Sequence, residues 1–207
     1  MPWPTWEERP LSFLALIDLG EIPPLPDNPP GELSPPNAGV LLFFADLVDW
    51  TGEPESARPG NAVRVIAVGD ARGVPTAPPA PTAWSEINDC EIELPTLNPV
   101  PMAFRPRLTL PAPMGDMDYW GNIVYETLVE RVDRAQGRRV LRTQWLGHPV
   151  DSSPDPLEEN QHLLLGLNHD PRSGFMFADG GGIHYTATTQ AIREGDWNEI
   201  TATGMSG

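Results

Sequence analysis

Proline occupies 26 of the 207 positions, and this limits the architecture more than any other feature of the chain. Proline fixes φ and has no backbone N–H, so helix interiors and central strands exclude it. With 19 glycines beside it, the chain must be built from short elements separated by many loops. Length sets a second bound. A chain of 207 residues fits one domain, 1–207, since a single core serves up to about 250 residues. Hydrophobic residues make up 40 %, including seven Trp and six Phe, which is enough for a sizeable core.

The stretches free of proline mark the elements. Ser12 to Asp18, Val40 to Asp46 and Ala62 to Val68 are apolar runs of strand length. The second is apolar almost throughout, which suits a strand buried on both faces. Cys90 to Leu94, Ala103 to Leu110, Val140 to Trp145, His162 to Asn168, Gly174 to Phe177, Ile183 to Thr186 and Ile200 to Thr203 complete the predicted strands. Pro106 confines its strand to an edge or a bulge. Tyr119 to Ala135 is predicted as the long helix, with Ile123, Val124, Leu128, Val129 and Val132 forming a stripe that should face the core. Asp116 and Asp118 are placed to cap it and Gly137 to end it. A short helix should follow Thr188 or Thr189 through Arg193. Gly20 to Asn37, Gly73 to Pro81 and Asp151 to Asn160 read as loops. The expected fold class is α+β: mostly antiparallel β-sheet with two similar hairpin units, one long helix, one or two short helices and Pro-rich loops.

The two units come from an internal match between residues 11–46 and 161–187. Phe13-Leu-Ala-Leu-Ile-Asp18 overlays Leu163-Leu-Leu-Gly-Leu-Asn168, so Asp18 falls on Asn168. Downstream, Phe44-Ala-Asp46 falls on Phe177-Ala-Asp179, and the first copy carries the longer, Pro-rich insert. These segments also carry a family resemblance. Pro10 through Leu19, Gly39 through Asp46, Phe104-Arg-Pro-Arg-Leu-Thr-Leu-Pro111, Leu146-Gly-His-Pro149 and Leu163 through Trp197 resemble, in order, the motifs of the YwqG-like family. That bacterial family bears a domain-of-unknown-function label. The resemblance implies an α+β fold dominated by antiparallel strands. It brings no established reaction or catalytic residues. The genomic settings of some members suggest a part in toxin–immunity systems.

Charge and residue usage eliminate several functions. The formal net charge is −16, from 13 basic and 29 acidic residues, and every basic residue is Arg. Without Lys there is no Schiff-base lysine and no P-loop lysine. Nucleic acid is not an expected partner, because phosphate binding needs a basic face. A basic protein partner is electrostatically easier, although acidity also serves solubility alone. Cys90 is the only cysteine, so an internal disulfide and a Cys-based metal cluster are both excluded. No apolar run reaches the roughly 18 residues of a membrane span, and no signal pattern opens the chain, so a cytoplasmic location without membrane attachment is expected.

The candidate site residues are Asp18, Asp46, His148, Asp179 and His184. The three Asp end strands, where carboxylates in pairs can do acid–base work, or where each can simply close a turn. His148, Asp179 and His184 could share one cleft with a metal or a proton relay. Their spacings match no metal signature, so no metal and no cofactor is expected. Gly180-Gly-Gly182 leads into a predicted strand rather than a helix, which favours a tight turn over an anion cradle. No nucleophile elbow is present. The first expectation is a non-enzymatic protein-binding or immunity-like module. The alternatives are a metal-dependent or acid–base enzyme with a His/Asp cleft and a small-molecule-binding domain.

Overall fold

In the computed structural model, the residues described are 2–23, 36–70, 72, 80, 82–105, 109, 119–137, 143–147, 149 and 160–206. Their strands, in chain order, are β1 (Thr5–Trp6), β2 (Arg9–Pro10), β3 (Ser12–Asp18), β4 (Val40–Ala45), β5 (Glu55–Ser56), β6 (Val63–Val68), β7 (Thr82–Ser85), β8 (Cys90–Glu93), β9 (Thr143–Trp145), β10 (Gln161–Asn168), β11 (Gly182–Thr188) and β12 (Thr201–Met205). The helices are α1 (Tyr119–Ala135) and α2 (Thr189–Glu194). The architecture is mostly antiparallel β-sheet with two helices, as the α+β expectation has it. One sheet has the order β3-β4-β6 and another the order β5-β12-β11-β10-β9. Two ribbons, β1-β2 and β7-β8, complete the pairing.

β4 organises the smaller sheet. All six of its residues are apolar, and none is more than 2 % exposed. Successive strand side chains point to opposite faces. Leu41, Phe43 and Ala45 enter the main core, and Val40, Leu42 and Phe44 enter a second, smaller one with Leu11. Trp3, Trp6, Phe13 and Leu16 cover that second core. A strand with both faces buried needs no apolar–polar alternation, which is why Val40 to Ala45 reads as a continuous run.

The five-stranded sheet closes the main core from the other side with Leu165, Leu167, Ile183, Tyr185, Ala187 and Ala202. Tyr185 joins the two sheets. Its hydroxyl donates to the Phe44 carbonyl at 2.8 Å, and its ring meets Phe43 edge-on at 5.1 Å. α2 follows directly from β11. The Thr188 hydroxyl accepts from the Ala191 amide, and Gly195, at φ 68°, ends the helix in the left-handed region. Ala191 and Ile192 anchor it in the core.

Two expectations are corrected. Gly174 to Phe177 is not a ladder strand: Phe175 and Phe177 make isolated bridges to Asp170 and Gly181. Tight turns on either side leave no room for a ladder, with the Gly174 amide bonded to the Asp170 carbonyl and the Gly181 amide to that of Phe177. The strand that pairs with β10 is β11. The glycine run serves close packing at this point, since a Cβ on Gly181 would sit 1.7 Å from the Met205 carbonyl oxygen of β12. The second correction concerns α1. Its bounds are as expected, and Gly137 ends it at φ 84°. Its stripe, however, is not a core face: Val124 and Leu128 are exposed, and Ile123, Val129 and Val132 belong to neither core. Strands, Trp3, Trp6 and α2 already close both cores.

Residues 101–105 have no regular structure, and the rest of the strand predicted to Leu110 lies almost wholly outside the described residues. Most of the Gly20 to Asn37, Gly73 to Pro81 and Asp151 to Asn160 loops lies outside them too, as do Asp116 and Asp118. Among the described residues, no helix is long and apolar enough to cross a membrane.

Phe43 is fully buried where the two sheets meet. Phe43→Ala should destabilise the fold by about 3–5 kcal/mol, read as a lower urea midpoint with an unchanged denaturant slope.

Candidate functional site: a groove along the edge of β3

Among the described residues, β3 pairs with β4 on one side only. Along its other side runs a groove of about 490 Å³. The whole stretch from Phe13 to Asp18 lines it, as a groove beside a strand edge requires. The facing wall is the irregular segment from Pro95 to Met102, with Phe104. The Asn98 amide donates to the Ser173 carbonyl at 2.8 Å and fixes that wall against the turn after β10. Leu167, Asn168, Asp170 and Phe175 close the far end. The groove is mainly apolar between Leu14, Leu97, Phe104 and Phe175.

The charged side chains among its described lining residues are carboxylates, Asp18, Glu21 and Asp170. Asp18 caps a single 3₁₀ turn, Leu19–Glu21, accepting from the Gly20 amide at 2.9 Å. Glu21 projects from that turn and is exposed. Asp170 is gripped by Arg172, whose Nη2 lies 2.6 Å from Oδ2. Among the described lining residues there is no Arg, Lys or His.

Of the described candidate residues, Asp18 lines the groove, as does Asn168, which overlays it in the internal match. Asp46 stands at the opposite end of the β3–β4 hairpin, since Asp18 pairs with Val40 and Ser12 with Ala45. Asp179 is exposed in the turn before β11. His184 is buried on β11, on the face opposite Ile183, Tyr185 and Ala187, which enter the main core. His148 lies outside the described residues. Asp18 and Asp46 therefore do not converge, and the cleft expected from His148, Asp179 and His184 includes a residue outside the described ones. Among the described residues, no three His, Cys, Asp or Glu side chains form a group that could hold a metal.

Asp46 has a structural role instead. It sits with Arg9 and Asp49 in a buried ion cluster, with Arg9 Nη1 2.9 Å from Asp49 and Nη2 3.4 Å from Asp46. Arg9 also stacks over the Trp6 ring at 4.9 Å. Asp46 accepts from the Val48 and Asp49 amides, each at 3.1 Å. Burial nevertheless pushes its carboxyl above the ordinary value, and the Asp49 charge adds to this. Burial opposes ionisation of Asp49 as well. There the Ser85 hydroxyl at 2.6 Å, the Glu86 amide at 2.7 Å and Arg9 outweigh it and hold the carboxyl below the ordinary value. The cluster ties the N-terminal ribbon, the end of β4 and the β7–β8 ribbon together. No motif announced it, because its members lie in three separate stretches of chain.

Burial also lowers the His184 pKa from 6.5 to about 4. Gly166 opposite makes room for the ring: a Cβ there would lie 3.4 Å from its Cδ2.

Two outcomes follow. Arg9→Met leaves two carboxylates buried without their cation and should cost about 3–5 kcal/mol in chemical denaturation. For His184, the unfolded chain takes up a proton below pH 6.5 that the folded chain refuses until about pH 4. Stability from this group is thus complete above pH 6.5 and lost as the pH falls towards 4, by up to about 3 kcal/mol. His184→Gln should show a flatter dependence of the urea midpoint across that window than the parent, while contributions from the carboxylates cancel between the two proteins.

No curated protein matches the chain. The family described as a domain of unknown function, DUF1963, matches residues 1–203, and the chain belongs to that family.

Proposed function

We propose that the protein is a non-enzymatic binding module whose groove takes a cationic segment of a partner protein. The observation that carries this reading is the groove itself, with an apolar floor, the carboxylates of Asp18 and Glu21 at one end, and no cation among its described lining residues. The formal charge of −16 extends the same preference over the whole surface and would steer a basic partner towards it. Acid–base catalysis has less support. One Asp18 oxygen is committed to the Gly20 amide, and Asp170 is held by Arg172. This reading takes up the YwqG-like resemblance, with a bacterial, cytoplasmic, immunity-like role in which the module masks a basic surface of its partner.

A second reading, small-molecule binding, draws on the groove's volume, which falls in the range of about 300–1,000 Å³ common for ligand sites. Charge separates the two readings. Three pools of blocked nonapeptides, differing only in carrying Arg, Gln or Glu at fixed positions, can be compared by fluorescence anisotropy. The Arg pool should bind best, and its binding should weaken as salt rises. The protein carrying both Asp18→Asn and Glu21→Gln should lose about fivefold, from two exposed charge pairs of about 0.5 kcal/mol each. Equal binding of all three pools, or binding of none, would overturn the proposal.

A further inference from the structure

We infer that the partner segment binds as an added β-strand on the free edge of β3; this rests on the protein-binding reading above and specifies how the groove does it. Three observations carry the inference.

The first is the state of the edge. The Leu19 amide bonds to the Gly39 carbonyl at 2.9 Å, and bonded pairs alternate with non-bonded ones along an antiparallel ladder. The pairs Ile17–Leu41 and Ala15–Phe43 are therefore bonded as well. Leu16 and Asp18, lying between them, turn their amides and carbonyls to the groove. No strand pairs with them there among the described residues. Strand edges of this kind are usually blunted by a proline or an inward-pointing charge. The sequence Ser-Phe-Leu-Ala-Leu-Ile-Asp has no proline, and its only charge is at the end.

The second is an internal precedent. β3 and β10 share a bulge at the same point of their overlay, between Phe13 and Ala15 and between Leu163 and Leu165. Each continues through two further antiparallel strands, β4 and β6 in one sheet, β11 and β12 in the other. On its other side β10 carries β9, at Leu165, Gly166 and Leu167. The overlay puts these three on Ala15, Leu16 and Ile17, the middle of the groove wall. The groove occupies the place beside β3 that β9 takes beside β10.

The third is the facing wall. Pro95, Pro99 and Pro101 have no amide to offer, and the Asn98 amide is committed to Ser173. The wall therefore borders the edge without pairing to it. It also makes the opening a channel rather than a flat rim. A single extended segment fits a channel; a second copy's β3, embedded in its own sheet, does not. Side-chain preferences follow from the pleat. A partner residue opposite Ile17 points to the main-core side, where Leu97, Phe104, Leu167 and Phe175 pack. Its neighbours, opposite Leu16 and Asp18, point to the other face, where the Asp18 carboxylate favours a cation. The expected occupant is a segment of about five residues in which apolar and basic side chains alternate.

The probe is a blocked peptide of alternating Arg and Val, tested with two derivatives N-methylated at every second residue in opposite phases. In strand addition only alternate amides face β3. One phase should lose at least about tenfold in affinity and the other little. Hydrogen exchange at the Leu16 and Asp18 amides should slow on binding, while that of Ile17, already bonded to β4, should change less. If the Arg pool of the preceding experiment binds but both phases behave alike, or the Leu16 and Asp18 amides are unaffected, strand addition falls while charge-selective binding stands. If neither the Arg pool nor the alternating peptide binds, both fall.

Discussion

The rest of the structure is arranged around the burial of β4 on both faces. A strand whose six residues are all apolar cannot lie at a surface. It must sit in the middle of a sheet, and that sheet must be covered twice. β3 and β6 flank it, the five-stranded sheet covers one face, and Trp3, Trp6 and Phe13 cover the other. With β4 central among the three described strands of its sheet, β3 is an edge of that sheet among the described residues. The groove is therefore a consequence of the core. The only choice left to the surrounding chain is what to place opposite that edge, and here it places a proline-rich wall.

The same hairpin separates two kinds of electrostatics. At the end where Ser12 meets Ala45, Arg9, Asp46 and Asp49 form a cluster shielded from water. Removing charges from water is expensive, and such clusters return stability only when their hydrogen bonds are satisfied. Most are: Asp46 and Asp49 accept from the Val48, Asp49 and Glu86 amides and from Ser85, although Arg9 Nε has no partner among the described residues. Groups so constrained hold ribbons in place and are poorly suited to exchange protons with a substrate. At the other end Asp18 and Glu21 reach the groove, where a charge remains available to a partner. Position along one hairpin thus decides which Asp is structural and which can take part in recognition.

How much of this was legible in the sequence depended on the range of the signal. β3, β4, β6, β10, α1 and α2 were legible because their patterns are local: apolar runs, a helical stripe, Thr188 as a cap. β1, β2 and β5 are two residues each, too short for any period to show. The Phe-Ala-Asp match was misleading in its second copy. Phe177 does enter the core, against Trp50 at 5.4 Å, but in a bridge between turns. Apolar residues at matched spacing report burial and leave the ladder partner open. The candidate site was less legible than the fold. Asp18, Asn168, Asp46 and Asp179 all came from the overlay, and His184 was grouped with His148 and Asp179 by residue type alone. Whether such residues converge depends on which end of which hairpin they occupy, and that is a property of pairing between distant segments.

Proline, the feature that most limits this chain, has a second consequence at the groove. A free edge as apolar as β3 is an aggregation hazard, because its unpaired groups will accept any extended chain. Covering it with an ordinary strand would remove the hazard along with the opening, as β9 does for β10. A wall containing Pro95, Pro99 and Pro101 takes neither course. Three prolines interrupt its run of donors, and its bulk limits approach to one segment at a time. The composition that breaks the chain into short elements thus also keeps one strand edge open and guarded.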